Sequence, residues 1–176
     1  MKILTGSRAL LFTIILSLSV ASDAFATTGV LTGKMAPWQQ LVGKWDCRLR
    51  MYATENRPYI QEGLIRNEGS VVSGNVFHLH GMAPFMELDA YYGYSKTAGG
   101  WWETQADSQG YATLLRSTDG VVFDQVSDAS SSVDKDGTRY QETYTFNKDG
   151  TFSQVTKTWQ GGSWKQDSEM ACHTNR

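Results

Sequence analysis

Leu41-Val42-Gly43-Lys44-Trp45-Asp46-Cys47 is the stretch on which the fold turns. It follows the short proline-led segment Pro37-Trp38-Gln39-Gln40 and opens a run in which Trp45, Cys47, Leu49 and Met51 alternate with Asp46, Arg48, Arg50 and Tyr52. A period of two is the signal of a half-buried strand, expected here over about 42–52. Pro37 suits the start of a helix, where its missing N–H would have no partner anyway. Pro37 to Leu41 is therefore expected to make one or two helical turns. Trp38 and Leu41 would share a side of those turns and could plug one end of whatever the strands enclose.

Outward from that stretch, one strand follows another. Glu55-Asn56-Arg57-Pro58 reads as a turn, a second strand as about 59–67, and Asn67-Glu68-Gly69 as its end. A third strand over about 71–81 is broken by Ser73-Gly74-Asn75, so it is a hairpin or a bulged strand. Pairing stops at Met82-Ala83-Pro84, because proline cannot donate to a ladder. The segments Met86–Tyr94, Trp101–Asp107, Tyr111–Ser117, Val121–Ser127, Thr138–Phe146 and Thr151–Trp159 follow, and the last strand runs from Ser163 to Cys172 with Trp164 and Cys172 expected on one face. Asp-Gly and Gly-Gly pairs between them supply the positive φ of tight hairpins. Nine or ten strands with no long helical period make an all-β protein: a single antiparallel up-and-down β-barrel, whose closure removes exposed edges.

The chain has two cysteines, Cys47 in the first strand and Cys172 in the last. An up-and-down barrel brings those strands together, so a Cys47–Cys172 disulfide is expected. It would close a loop of about 125 residues, worth roughly 4–5 kcal/mol on chain-entropy grounds. The N-terminus agrees with an oxidising destination. Lys2 and Arg8, the apolar run Ala9–Val20 and the site Ala24-Phe25-Ala26 have the layout of a cleaved signal peptide over 1–26. That run is shorter than the roughly 20 residues a membrane span needs. Residues 27–36, small and polar, read as a flexible arm, and 37–176 as one barrel domain. The protein is expected to be secreted or periplasmic, with no membrane span after cleavage. With 16 basic and 18 acidic residues and no basic cluster, nothing in the chain can track phosphates, which argues against nucleic acid as a partner.

The Gly43-Lys44-Trp45 motif, opening the first strand after a helical turn, resembles that of lipocalins and the wider calycin barrels. The resemblance implies that Gly43 and Trp45 are structural, with the tryptophan closing one barrel end. The Thr-Asp-Tyr turn and C-terminal helix of lipocalins are not evident. The chain is also similar to small secreted bacterial proteins with lipocalin-like barrels and no established activity. Those share a Leu-Val-Gly-x-Trp opening, matched by Leu41 to Trp45. They also share a central hairpin, matched by Gly93-Tyr94, Trp101-Trp102 and Asp107-Ser108-Gln109-Gly110. This resemblance spans most of 37–172 and implies fold and export.

The aromatic run Tyr91, Tyr92, Tyr94, Trp101, Trp102, Tyr111 is the strongest hint of a site. Neighbours in a strand point to opposite faces, so about half of these rings face inward, where they either form ordinary core or line a cavity for a flat or apolar ligand. The candidate ligand-binding residues are Tyr92, Tyr94, Trp102 and Tyr111, with Glu103 as a polar anchor. His78 and His80 share a strand face and could grip a metal with Glu87, Asp89 or Glu103. Phe77 and Leu79 look like the buried set, however, which turns both histidines outward. A haem ligand at His173 is a further analogy, with nitrobindin-type barrels. Glu87, Asp89 and Tyr91 could do acid–base work if they faced an apolar interior, and are otherwise a solvated face. No nucleophile elbow, phosphate loop or dinucleotide fingerprint is present, and no cofactor is implied. The expected function is an exported protein holding a small apolar or aromatic molecule, for transport, sequestration or sensing. The alternatives are an isomerase, cyclase or hydrolase using the same cavity, which requires an inward titratable group with a displaced pKa, and an envelope interaction module with a filled barrel.

Overall fold

Among the described residues ten strands form in chain order: β1 Gly43–Met51, β2 Gln61–Ser73, β3 Val76–Ala83, β4 Met86–Ser95, β5 Gly100–Asp107, β6 Ala112–Ser117, β7 Val122–Gln125, β8 Tyr140–Phe146, β9 Phe152–Gln160 and β10 Ser163–Thr174. Each pairs antiparallel with the next, and β1 pairs with β10, so the sheet closes into a barrel. This is a computed structural model, and it describes residues 29–54, 58–110, 112–125 and 139–175. The expected signal peptide, 1–26, lies outside the described residues. Among the described residues no helix is long and apolar enough to cross a membrane.

Closure is clearest where the cysteines meet. In the β1–β10 register Cys47 stands opposite Cys172, and the two form a disulfide across 125 residues. Both are buried. The alternation around them sets the inward phase of the barrel: Trp45, Cys47 and Leu49 on β1, Phe77 and Leu79 on β3, Tyr92 on β4, Tyr144 on β8, Phe152 on β9.

One end is plugged. A 3-10 helix, Gly33–Leu41, precedes β1 and buries Met35, Trp38 and Leu41. It starts four residues before the expected Pro37, and Pro37 lies within it. The described part of the expected arm is packed against the barrel: Leu31 is buried, and the Thr32 N–H donates to the Gly74 carbonyl at 2.7 Å. Trp38 enters the barrel among Phe77, Tyr92, Phe123, Tyr144 and Phe146, with ring centroids 4.6–5.9 Å away. Trp45 seals the same region. Its indole N–H donates to the Leu41 carbonyl at 2.9 Å, and its ring meets Phe152 edge-on.

Two details of the expected ladder are corrected. Asn67-Glu68-Gly69 does not end a strand; β2 runs through it, and the chain reverses only at Gly74-Asn75. Gly69 is needed for space, since a Cβ there would collide with the Leu41 carbonyl where the helix leaves for β1. A glycine that admits a neighbouring backbone looks in sequence like a turn glycine. Trp164, expected on the face of Cys172, instead pairs with Trp159 on the outer surface. The register shifts between Gln166 and Ser168, and that bulge reverses the alternation.

Candidate binding cavity

Away from the plug the inward positions change character. β1 offers Leu49 and Met51, β2 Ile65 and Asn67, β3 Leu79, Gly81 and Ala83, and none of these fills the barrel as Trp38 and its aromatic neighbours do. A cavity of about 320 Å³ remains, lined also by Met86, Leu88 and Met170 and by the polar groups Tyr92, Gln105, Glu142 and Gln154. That lies at the small end of the ~300–1,000 Å³ typical of ligand pockets. The barrel is thus not filled solid. Gly81 helps keep the space, because a Cβ there would press on the Asn67 side-chain oxygen at 2.8 Å. Asn67 is buried and turns its amide N–H groups to sulfur, donating to Cys47 Sγ at 3.3 Å and Met170 Sδ at 3.6 Å.

The polar groups form a network between cavity and aromatic plug. Glu142, on β8, accepts from Gln105 Nε2 at 3.0 Å on one carboxylate oxygen. The other oxygen accepts from the Tyr144 hydroxyl at 2.8 Å and from Gln154 Nε2. Tyr144 is also 2.9 Å from the Tyr92 hydroxyl, receives Gln154 Nε2 at 3.0 Å, and is 3.3 Å from Glu103 Oε1. A phenol has one hydrogen to give, and its shortest acceptor is Glu142. Glu103 keeps the weaker share of that hydroxyl beside a hydrogen bond with Tyr92, and its Oε2 has no partner.

Glu103 is fully buried. Burial pushes its carboxyl well above the usual range, and the nearby Glu142 carboxylate pushes further in the same direction. Burial beside a second carboxylate favours the protonated form of such a group over the charged one, against the pull of the tyrosine hydrogen bonds. Burial likewise raises the Tyr92 and Tyr144 phenols, with Glu103 and Glu142 adding to the effect, so both stay protonated.

The candidates from the aromatic run separate. Tyr92 is inward, buried, and lines the cavity. Glu103 stands opposite it in the β4–β5 register, behind the lining. Tyr94 is inward at the plugged end, where its ring meets Trp101 at 4.9 Å. Trp102 pairs with Gly93 on the outer face, its ring lying where a Gly93 side chain would be. It therefore takes no part in the interior: if Tyr92 and Tyr94 face in, the register sends Glu103 and Trp101 in with them and Trp102 out. Tyr111 lies outside the described residues.

His78 and His80 face outward, as the burial of Phe77 and Leu79 requires. They share one oxygen of Asp89, at 2.7 and 3.1 Å, and His78 stacks on Tyr91. Partial burial pushes Asp89 up, but the two imidazoles outweigh it and hold the carboxyl below its ordinary value. Glu87 lies 3.5 Å from His80 on the same outer face, so the Glu87–Asp89–Tyr91 set does not form an interior acid–base site. Among the described residues no group of three or more His, Cys, Asp or Glu is arranged to hold a metal. His173 is exposed on the outer face and does not reach the interior.

Glu142, Gln105 and Gln154 were not among the candidates. Their signal was present: in Gln141-Glu142-Thr143-Tyr144-Thr145-Phe146, Glu142 shares its phase with two aromatic residues. A carboxylate on the apolar phase of a strand is either a register error or a site.

No protein-family model matches this chain, and no curated protein matches it. Among solved structures, the crystal structure of Rv2717c from M. tuberculosis is similar in fold. The TM-score is 0.64 at 15% sequence identity, over 83% of this chain and 99% of that one.

Proposed function

We propose that this protein is an exported binding protein that holds a small, largely apolar molecule inside its barrel, for transport, sequestration or sensing. The observation that carries the reading is the cavity of about 320 Å³, apolar in its walls and polar at its inner end. Apolar walls reward burial at about 25 cal/mol per Å², while a few fixed polar groups orient what is buried. Of the residues expected to bind, Tyr92 lines this space and Glu103 stands behind it. Export is supported by the disulfide, which persists in oxidising compartments, and by the leader-like N-terminal sequence. Native mass spectrometry of the protein purified from its own cells tests the reading. A small molecule present in the native mass and lost on denaturation is the expected result, with a denatured mass short of residues 1–26 and of two hydrogens. Failure of an apolar dye to enter the cavity, together with a ligand-free native mass, would overturn it.

A second reading, catalysis in the same cavity by an isomerase, cyclase or hydrolase, is favoured by one observation. Glu103 is an inward carboxyl with a strongly raised pKa, linked through Tyr144 to Glu142 at the cavity wall. It predicts turnover of the native ligand that is lost in Glu103→Gln while binding persists.

A further inference from the structure

The chemistry of the cavity wall says more about the occupant than that it is apolar. We propose that the cavity selects molecules with an apolar body and a basic or hydrogen-donating head, a primary amine above all, and rejects carboxylates. This rests on the reading of the cavity as a ligand site.

The charged groups lining the cavity among the described residues are Glu142, Asp107 and Asp167; no lysine, arginine or histidine of those residues reaches it. Glu142 is the decisive one. It is buried, it belongs to no ion pair among the described residues, and what holds it is three neutral donors: two amides and a phenol. A carboxylate offers about four lone-pair positions. One oxygen of Glu142 takes Tyr144 and Gln154, and the other takes only Gln105, so one acceptor position remains. A ligand N–H or O–H fits that position. A ligand carboxylate does not, since it has no proton to offer and would sit as a second anion against a buried one.

Glu103 narrows the choice further. Standing behind Tyr92 and Tyr144, it is a second buried carboxyl, whose neutral form burial and the neighbouring Glu142 favour. A third carboxyl on the ligand would have to take that form too or stay out. An ammonium instead supplies the counter-charge that Glu142 lacks, and the burial of that carboxylate strengthens the pairing. The walls contributed by Leu49, Ile65, Leu79 and Met170 then cover the chain behind the head.

Competition of octylamine, octan-1-ol and octanoate against a fluorescent apolar dye, at neutral pH and physiological salt, tests this. The expected order is amine, then alcohol, then carboxylate, with the amine about tenfold or more tighter than the alcohol. In Glu142→Gln the amine is expected to fall to the level of the alcohol, whose own affinity hardly moves. The wild-type series decides even if that variant does not fold. Equal binding of all three, or tightest binding of octanoate, overturns the selectivity while leaving the cavity a ligand site. Failure of the dye and all three compounds to bind overturns the cavity reading, and this inference with it.

Discussion

The two ends of this barrel are built on one alternation and finish differently. At the helix end, inward positions carry Phe77, Tyr92, Phe123, Tyr144, Phe146 and Phe152, and Trp38 drops into the gap they leave. At the other end the same strands carry Leu, Met, Ala and Gly, and about 320 Å³ stays open. A barrel of fixed strand number encloses a roughly fixed cross-section, so what decides between core and pocket is the volume of the side chains sent inward. The boundary is also chemical. Tyr92, Tyr144, Glu103 and Glu142 sit where the rings stop, and their polar atoms, buried away from solvent, find partners in one another.

The contrast can be broken most forcefully at the plug. Trp38→Ala should cost about 3–5 kcal/mol in urea unfolding, because five rings have closed around the indole and cannot collapse into its place. A loss below about 1 kcal/mol would mean that the barrel holds its closed end without the helix. Next in size is the strap between the strands: removing the disulfide as Cys47→Ser/Cys172→Ser should cost about 2–5 kcal/mol. That loss would be felt in the stability of both halves alike, since Cys47 and Cys172 pair in the β1–β10 seam itself.

A finer test compares the two regions directly. Ala90 is fully buried on the inward face of β4 and does not line the cavity, whereas Ala83 on β3 does. Ala90→Leu should overpack the interior and cost about 1–3 kcal/mol. Ala83→Leu should change stability by no more than about 0.5 kcal/mol and lower dye binding, because the added methyl groups enter existing space. Equal stability losses at both sites would mean that the open end is as tightly filled as the closed one.

Much of this was legible in the sequence, and the rest was hidden for identifiable reasons. Trp45, Cys47, Leu49 and Met51 declare β1 by alternation, and the second cysteine places β10 beside it. Trp38 as a plug follows from one tryptophan just ahead of the first strand. Phe77 and Leu79 settle that His78 and His80 face out. What failed was phase. Composition groups Trp102 with Tyr92 and Tyr94, but the hairpin register that admits those two excludes it. Trp164 was misplaced by a bulge that composition does not announce. Glu142, Gln105 and Gln154 do not stand out in the sequence because polar residues in strands are ordinarily solvent-facing, and only the closure of the barrel turns them inward.

A test by pH is the most diagnostic of the boundary layer. Glu103 has a folded-state pKa raised far above the ordinary value of 4.5 by burial and by Glu142. An acid of that kind binds its proton more tightly folded than unfolded. Its contribution is whole below the ordinary value and is lost as pH climbs from there through the folded pKa. Asp119, held below its ordinary value first by the Val122 backbone N–H, works in the opposite sense, losing its contribution as pH falls below about 4. In Glu103→Gln only the alkaline arm should change. At about pH 5 the variant should lie within about 1 kcal/mol of the wild type, since an amide replaces a neutral carboxyl of the same shape. As pH rises toward about 9, the wild type should lose stability that the variant keeps, until their thermal midpoints cross or diverge. Parallel curves across that range would mean that Glu103 carries the same charge folded and unfolded, and that the layer between core and cavity does not hold the extra proton that burial favours.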